Sequence, residues 1–265
     1  MMPRDPPHAR DLSAFTDRLA RLKQFTPARI GLGRAGMAQP TAASLRFLLD
    51  HARARDAVHA ALDFEGIAEA VRAQGWAPIQ VQSAACDRTE YLRRPDLGRR
   101  LSLTGRSIVK RQERGSDVAV IAVDGLSSSA IATNLLPTLN CLRPRLQRRR
   151  LMIGPIVLVE QGRVAIGDEI GELMDAKLAL VLIGERPGLS AADSLGAYIT
   201  WRPRVGAMDS SRNCISNIRA AGLPPEEAAS QIDDLIGRAF RHSATGVRLN
   251  ELRFTEPAIP AIEAR

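Results

Sequence analysis

Lysine is nearly missing from this chain: Lys23, Lys110 and Lys177 are the only ones, although Lys and Arg together number 37 and the formal net charge is +8. A basic surface attracts phosphate backbones, but arginine in place of lysine throughout reads as a coding bias rather than a designed patch. Aromatic residues make up only 4%. None interleaves with the densest basic run, Arg143 to Arg150, so that run offers no platform for stacking bases. It falls where a helix is predicted to end, and cations there complement the negative end of the dipole. No nucleic-acid partner is expected. No apolar run reaches the roughly 18 residues of a membrane span, and the start, Met1 to His8, lacks a signal-peptide hydrophobic region. No membrane association is expected, and an intracellular setting is. The cysteines, Cys86, Cys141 and Cys214, are few, odd in number and far apart, with no Cys-x-x-Cys pair, so reduced thiols are expected and zinc or iron–sulfur sites are not.

Catalytic signatures are scarce too. There is no Walker-type phosphate loop, zinc-helix motif or Gly-x-Ser-x-Gly elbow. Gly31-Leu32-Gly33-Arg34-Ala35-Gly36 matches the dinucleotide pattern, but that pattern works only between a strand and a helix. Here Thr26 to Ile30 is no strand and Pro40 interrupts the residues after the glycines, so a linker is the better reading. His8, His51, His59 and His242 stand in terminal or helical segments without a spaced partner cluster, and no metal site is expected.

What is present is a repeating strand-and-helix pattern. The first 75 residues read as a small helical domain: Asp11 to Lys23 is amphipathic, Pro27 to Pro40 is a glycine-rich connection, and Thr41 caps a longer helix with Leu45, Leu48, Leu49, Ala52 and Val58 at helical spacing. Ile67, Ala70 and Val71 mark a further short helix. Residues 76–265 then alternate. Ile79 to Val81, Val118 to Val123, Ile153 to Val159, Leu178 to Ile183 and Ala197 to Trp201 read as strands. Helices are predicted over Asp96 to Glu113, from the Ser127–Ser129 hydroxyls to about Arg143, over Asp168 to Met174, and from Pro224-Pro225 to near Gly246. Strands separated by helices imply parallel pairing, hence an α/β fold with a mostly parallel, Rossmann-like sheet.

In open parallel sheets ligands sit beyond the carboxyl ends of the strands, and three segments fall there. Asp124 to Ser129 could donate hydrogen bonds to a ligand or cap the next helix. Glu185, just past a fully apolar strand and held by Pro187 and Gly188, is positioned at little entropic cost; an ion pair with Arg186 or another arginine is the plain alternative. Cys214, after Arg212-Asn213 and before a predicted helical turn, reads as a structural thiol, with no histidine near in sequence to activate it. No residue set forms a complete catalytic constellation, which leaves open a stand-alone α/β nucleotide- or metabolite-binding module without catalysis.

Seven motifs occur in an order that resembles the small subunit of ethanolamine ammonia-lyase: Arg93 to Arg100, Asp124 to Ser127, Gly162-Arg163-Val164, Ile170-Gly171-Glu172, Gly184 to Gly188, Cys214 to Ile218, and Gly222-x-Pro224-Pro225-x-Glu227-Ala228-Ala229. The helix around Ser44 to Arg55 fits the same family, and the resemblance spans all but about the first 25 residues and the tail after Glu251. It implies an adenosylcobalamin-dependent carbon–nitrogen lyase that converts ethanolamine to acetaldehyde and ammonia by radical chemistry. It also implies a hetero-oligomer: a large barrel subunit holds the substrate and active-site residues, and the small subunit, inactive alone, closes a Rossmann-like domain over the cobalamin. Carried over by position, the cofactor-contacting residues are Val164, Glu185 and Cys214. The absence of Asp-x-His-x-x-Gly implies that no histidine of this chain replaces the cofactor's own base on cobalt. Whether such an enzyme lies free in the cytoplasm or inside a protein-shelled bacterial microcompartment is left open.

Overall fold

The computed structural model describes residues 21–26 and 28–252. Packing divides the chain into two compact units, residues 1–55 with 188–190, and residues 56–187 with 191–265. In the first unit, helix α1 (Thr41–His59) begins at Thr41. Its leucines Leu45, Leu48 and Leu49 are exposed, and Arg29 bonds Asp50 at 2.7 Å while lying over the Phe47 ring. Gly31, Gly33 and Gly36 all take positive φ in an irregular stretch with no strand before it among the described residues, which is linker geometry. The helix predicted over Asp11 to Lys23 lies mostly outside the described residues.

The second unit is a six-stranded sheet between helices. Its strands are β1 (Pro78–Gln82), β2 (Val118–Val123), β3 (Ile156–Glu160), β4 (Leu178–Gly184), β5 (Leu195–Trp201) and β6 (Arg212–Ile218), in spatial order β1-β3-β2-β4-β5-β6. The first four run parallel, and β2 and β4 are apolar at every position and buried on both faces, as crossover-covered strands must be. The last two pair antiparallel, so the sheet is mostly parallel, as expected. The physical reason for the reversal is length. A parallel return needs a crossover of about a dozen residues or more, normally with a helix, whereas residues 185–194 and 202–211 are short and contain only the 3₁₀ turn Asp209–Ser211.

Helices α2 (Phe64–Ala73), α5 (Ser128–Arg148) and α7 (Pro225–His242) cover one face of the sheet. The helix at 64–73, on the amino side of residue 75, therefore packs against the sheet and shares its core through Ala68 and Val71. Helices α4 (Leu103–Lys110) and α6 (Ile166–Leu173) cover the other face through Val109, Ile166 and Ile170. The basic run at the end of α5 is used in packing: Arg143 bonds the Gln74 carbonyl and lies over Trp76, and Arg149 pairs with Asp233 on α7.

The helix predicted over Asp96 to Glu113 is broken. Residues 100–102 run along β1, with Ala84 N–H on the Arg100 carbonyl and Ser102 N–H on that of Gln82, before Ser102 caps α4. A further short helix, α3 (Arg88–Arg93), precedes it. Asp87 accepts from Glu90 N–H and the Glu90 carboxylate accepts from Cys86 N–H, a variant of the capping box that Asp87-x-x-Glu90 signals in the sequence. The short helix α8 (Val247–Leu252) closes the described chain. Among the described residues no helix is long and apolar enough to cross a membrane.

Candidate functional site

The loops that end β2 and β4 touch backbone to backbone, and glycine makes this possible. A Cβ on Gly184 would lie 2.1 Å from the Ser127 carbonyl oxygen, and one on Gly125, at φ +60°, would lie 2.2 Å from that of Gly184. Ser127 caps α5 and donates its hydroxyl to the Ala192 carbonyl at 2.6 Å, so the Asp124–Ser129 loop spends its polar groups on capping and bracing. Asp124 ties this loop to the one after β3, its Oδ1 accepting from Gly125 and Gly162 N–H while Arg88 stands at 3.5 Å. Burial is the largest influence on its carboxyl and lifts it from 3.8 to about 6, against the opposing pull of Arg88 and the backbone amides.

Gly162-Arg163-Val164 forms the turn between β3 and α6. Arg163 lies over the buried Tyr91 ring at 4.2 Å and donates to the Tyr91 carbonyl. Tyr91 in turn donates its hydroxyl to the Gly162 carbonyl at 3.1 Å. The turn is thereby fixed from below, and Val164 packs, partly buried, against the cluster that includes Ile166 and Ile170.

Beyond Val164 the covering thins. Helices α4 and α6 cover β1 to β4 and reach the last two strands on this face only where Tyr198 meets their cluster and where Asp168 of α6 pairs with the buried Arg212 at the start of β6. On the uncovered side Tyr198 of β5 is paired with Cys214 of β6, and the cysteine is exposed. Cys214 therefore sits in a strand, not before a helical turn as the sequence implied. The reason is a bulge: the register steps from Ala197–Ile215 to Leu195–Ile218, inserting one residue in β6, and Asn217 takes φ +63°. That insertion breaks the alternation of Arg212 to Ile218 and hides the strand from a period-two reading.

The bulge also serves Glu185. Its Oε1 accepts from the Ser216 hydroxyl at 2.7 Å, and its Oε2 from the Ser194 hydroxyl at 2.5 Å and Asn217 N–H at 3.2 Å. No arginine lies within ion-pair distance of it among the described residues, so the salt-bridge alternative fails. The carboxylate lies across Gly196, where a Cβ would be 2.8 Å from Oε1. Gly196 is two residues from Tyr198, so Glu185, Tyr198 and Cys214 share one side of the sheet. Their charges couple accordingly. Desolvation raises the Cys214 thiol above its ordinary value, the hydrogen bond with Tyr198 opposes this, and the Glu185 charge adds to the rise. Tyr198 is raised chiefly by desolvation, with Cys214 and Glu185 adding. Neither group ionises near neutral pH.

A recess of about 600 Å³ runs along this side, lined among others by Arg99, Arg163, Val164, Tyr198, Met208 and Cys214. Two of the three residues carried over by position thus share one recess, and the third lies farther along the same open side. Sequence reasoning missed Tyr198, Ser194, Ser216, Asn217 and Gly196. Only Ser216 and Asn217 stood inside a singled-out motif, and nothing in the sequence linked them to Glu185. Among the described residues no cluster of His, Cys, Asp or Glu could hold a metal ion, and His51 and His59 of α1 and His242 of α7 are not among the residues that line the recess.

The fold is that of an α/β protein in which one side of two sheet strands is left largely open and set with fixed polar groups and an exposed thiol. Comparison with known sequences then gives the particular case. The family model described as Ethanolamine ammonia-lyase light chain (EutC) matches residues 16–250, and the chain belongs to that family. It is 48% identical over 235 residues to the ethanolamine ammonia-lyase small subunit of Azotobacter vinelandii, covering 87% of each chain. It is 45% identical over 260 residues to that of Pseudomonas aeruginosa strain UCBPP-PA14, 97% of this chain and 93% of the relative, and 47% identical over 234 residues to that of Pseudomonas putida strain GB-1.

Proposed function

We propose that this chain binds adenosylcobalamin on the open side of β5 and β6 and holds it against a large ethanolamine ammonia-lyase subunit, the pair converting ethanolamine to acetaldehyde and ammonia. The observation that carries the reading is the uncovered half-face itself: an exposed Cys214 and a pre-positioned Glu185 on one side of the sheet, beside Val164, in a chain of this family.

The residues present fit the group. A corrin carries many peripheral amides, whose N–H groups suit a carboxylate. An ionised carboxylate has about four lone-pair sites, and Glu185 has three in use, so one remains for a ligand donor. The three internal bonds keep it in place, so little ordering entropy is lost on binding. Cys214, kept neutral, and Val164 supply a flat, weakly polar contact surface, and the Tyr91–Arg163 stack keeps the Val164 turn rigid. Arg163 Nε is buried without an acceptor in the protein. When bound, adenosylcobalamin supplies the radical chemistry, begun by breaking its cobalt–carbon bond. This chain binds, orients and shields, and the substrate-handling groups belong to the large subunit.

The test is reconstitution. The purified chain, given ethanolamine and adenosylcobalamin, is expected to release no acetaldehyde, and to do so when mixed with its large subunit, with a corrin visible spectrum in the complex. Turnover by the single chain refutes the two-subunit reading. A complex that assembles without retaining corrin refutes the cofactor assignment.

A further inference from the structure

The open side that holds the recess beside Val164 and Cys214 is electrically asymmetric. Toward β6 stands the Glu185 carboxylate, an acceptor. Toward β3 stand two guanidiniums, donors only. Arg163 N–H is bonded to the Gly98 carbonyl at 2.7 Å, and a Cβ on Gly98 would sit 2.9 Å from Arg163 Cγ, so this close approach seats Arg99 beside Arg163. The third arginine of the recess, Arg212, is already committed: its guanidinium is buried on Asp168 at 2.5 Å and also bonds Asp209 and the Ala207 carbonyl. Asp209, the acidic member of the lining, is the partner of that arginine. Arg99 is different. It is an exposed residue of the lining, with no hydrogen bond or ion pair among the described residues.

We propose that Arg99 is a positioning residue that receives the anionic phosphodiester of cobalamin's nucleotide loop, so that the cofactor lies with its phosphodiester toward the β3 turn and its corrin amides toward Glu185. This rests on the cobalamin reading above. Cobalamin carries uncharged amides around the corrin and one phosphodiester in the loop to its base. An open side with the Glu185 carboxylate beyond the recess and the unpaired Arg99 guanidinium in the recess lining discriminates between those two parts, because a phosphodiester beside Glu185 would be repelled and one beside Arg99 gains a charge-assisted hydrogen bond.

The test uses the assembled complex with its large subunit, titrated with adenosylcobalamin and with adenosylcobinamide, which lacks the phosphodiester, and followed by visible absorption. Arg99→Gln is expected to weaken adenosylcobalamin about tenfold and to leave adenosylcobinamide unchanged, and Arg99→Lys, which keeps the charge, is expected to recover most of the loss. Unchanged adenosylcobalamin affinity in Arg99→Gln overturns the inference, as does an equal loss for both ligands or a failure of lysine to rescue. A wild-type complex that binds neither ligand overturns the cobalamin reading itself, and the inference with it.

Discussion

Gly196 gives a sharp test of how Glu185 is held. Its backbone needs no left-handed φ, so alanine is conformationally acceptable there, and the obstacle to a methyl is the Glu185 side chain, at 2.8 Å for Oε1, 3.1 Å for Cγ and 3.2 Å for Cδ. In Gly196→Ala the carboxylate must swing away and lose the hydroxyls of Ser194 and Ser216 and the amide of Asn217. Hydrogen bonds to a charged group contribute about 1.5–3 kcal/mol each when buried. Ser216 and Asn217 are exposed and water replaces the lost partner, so we expect a gross loss of about 2 kcal/mol. Removing a glycine from the unfolded chain returns about 0.4–1 kcal/mol, leaving a net cost of about 1–1.5 kcal/mol. In a Glu185→Ala background the methyl meets nothing, and the same substitution is expected to be neutral or stabilising. Urea unfolding of the four chains of this cycle gives the coupling, expected at about 1.5–2 kcal/mol. An equal cost of Gly196→Ala in both backgrounds would refute the placement of the carboxylate over Gly196.

Glu185→Gln keeps the shape but can no longer accept at both termini, so adenosylcobalamin affinity of the complex, read by visible titration, is expected to fall about tenfold, together with a small loss of stability from the Asn217 contact. Gly184→Ala drives a Cβ to 2.1 Å and 2.4 Å from the Ser127 and Asp124 carbonyl oxygens. These are backbone atoms that cannot turn aside, and thermal unfolding should show a loss of about 3 kcal/mol or more. Asp124, lifted from 3.8 to about 6 in the folded chain, binds its proton more tightly folded than unfolded. Its contribution therefore favours folding below about pH 4 and is lost as pH rises to about 6. Denaturation at several pH values should show this fall in the wild type and its absence in Asp124→Asn.

The buried strands were legible because their signal is local. Val118 to Val123 and Leu178 to Gly184 are continuous apolar runs, and no exposed polar residue can interrupt a strand covered on both faces. Pro225 at the first turn of α7 was legible for the same kind of reason, since proline suits a position whose N–H has no helical partner. The reversal of β5 was written in the length of residues 185–194, which is too short for a helical crossover. Strand β6 was not legible: its bulge shifts the period partway along and breaks the alternation that one covered and one open face would otherwise show.

For the candidate site the division is similar. Sequence by itself determined that a rigid carboxylate would follow β4, because a buried strand, Gly184, Pro187 and Gly188 are contiguous, and it carried the family resemblance that singled out Val164, Glu185 and Cys214. Only the tertiary structure decided what Glu185 does, because its partners lie 9, 31 and 32 positions away and are brought together by two antiparallel strands and a bulge. It also decided that Cys214 is exposed rather than packed. That outcome depends on where α6 ends relative to β5 and β6, a long-range packing result to which the residues around Cys214 contribute nothing on their own.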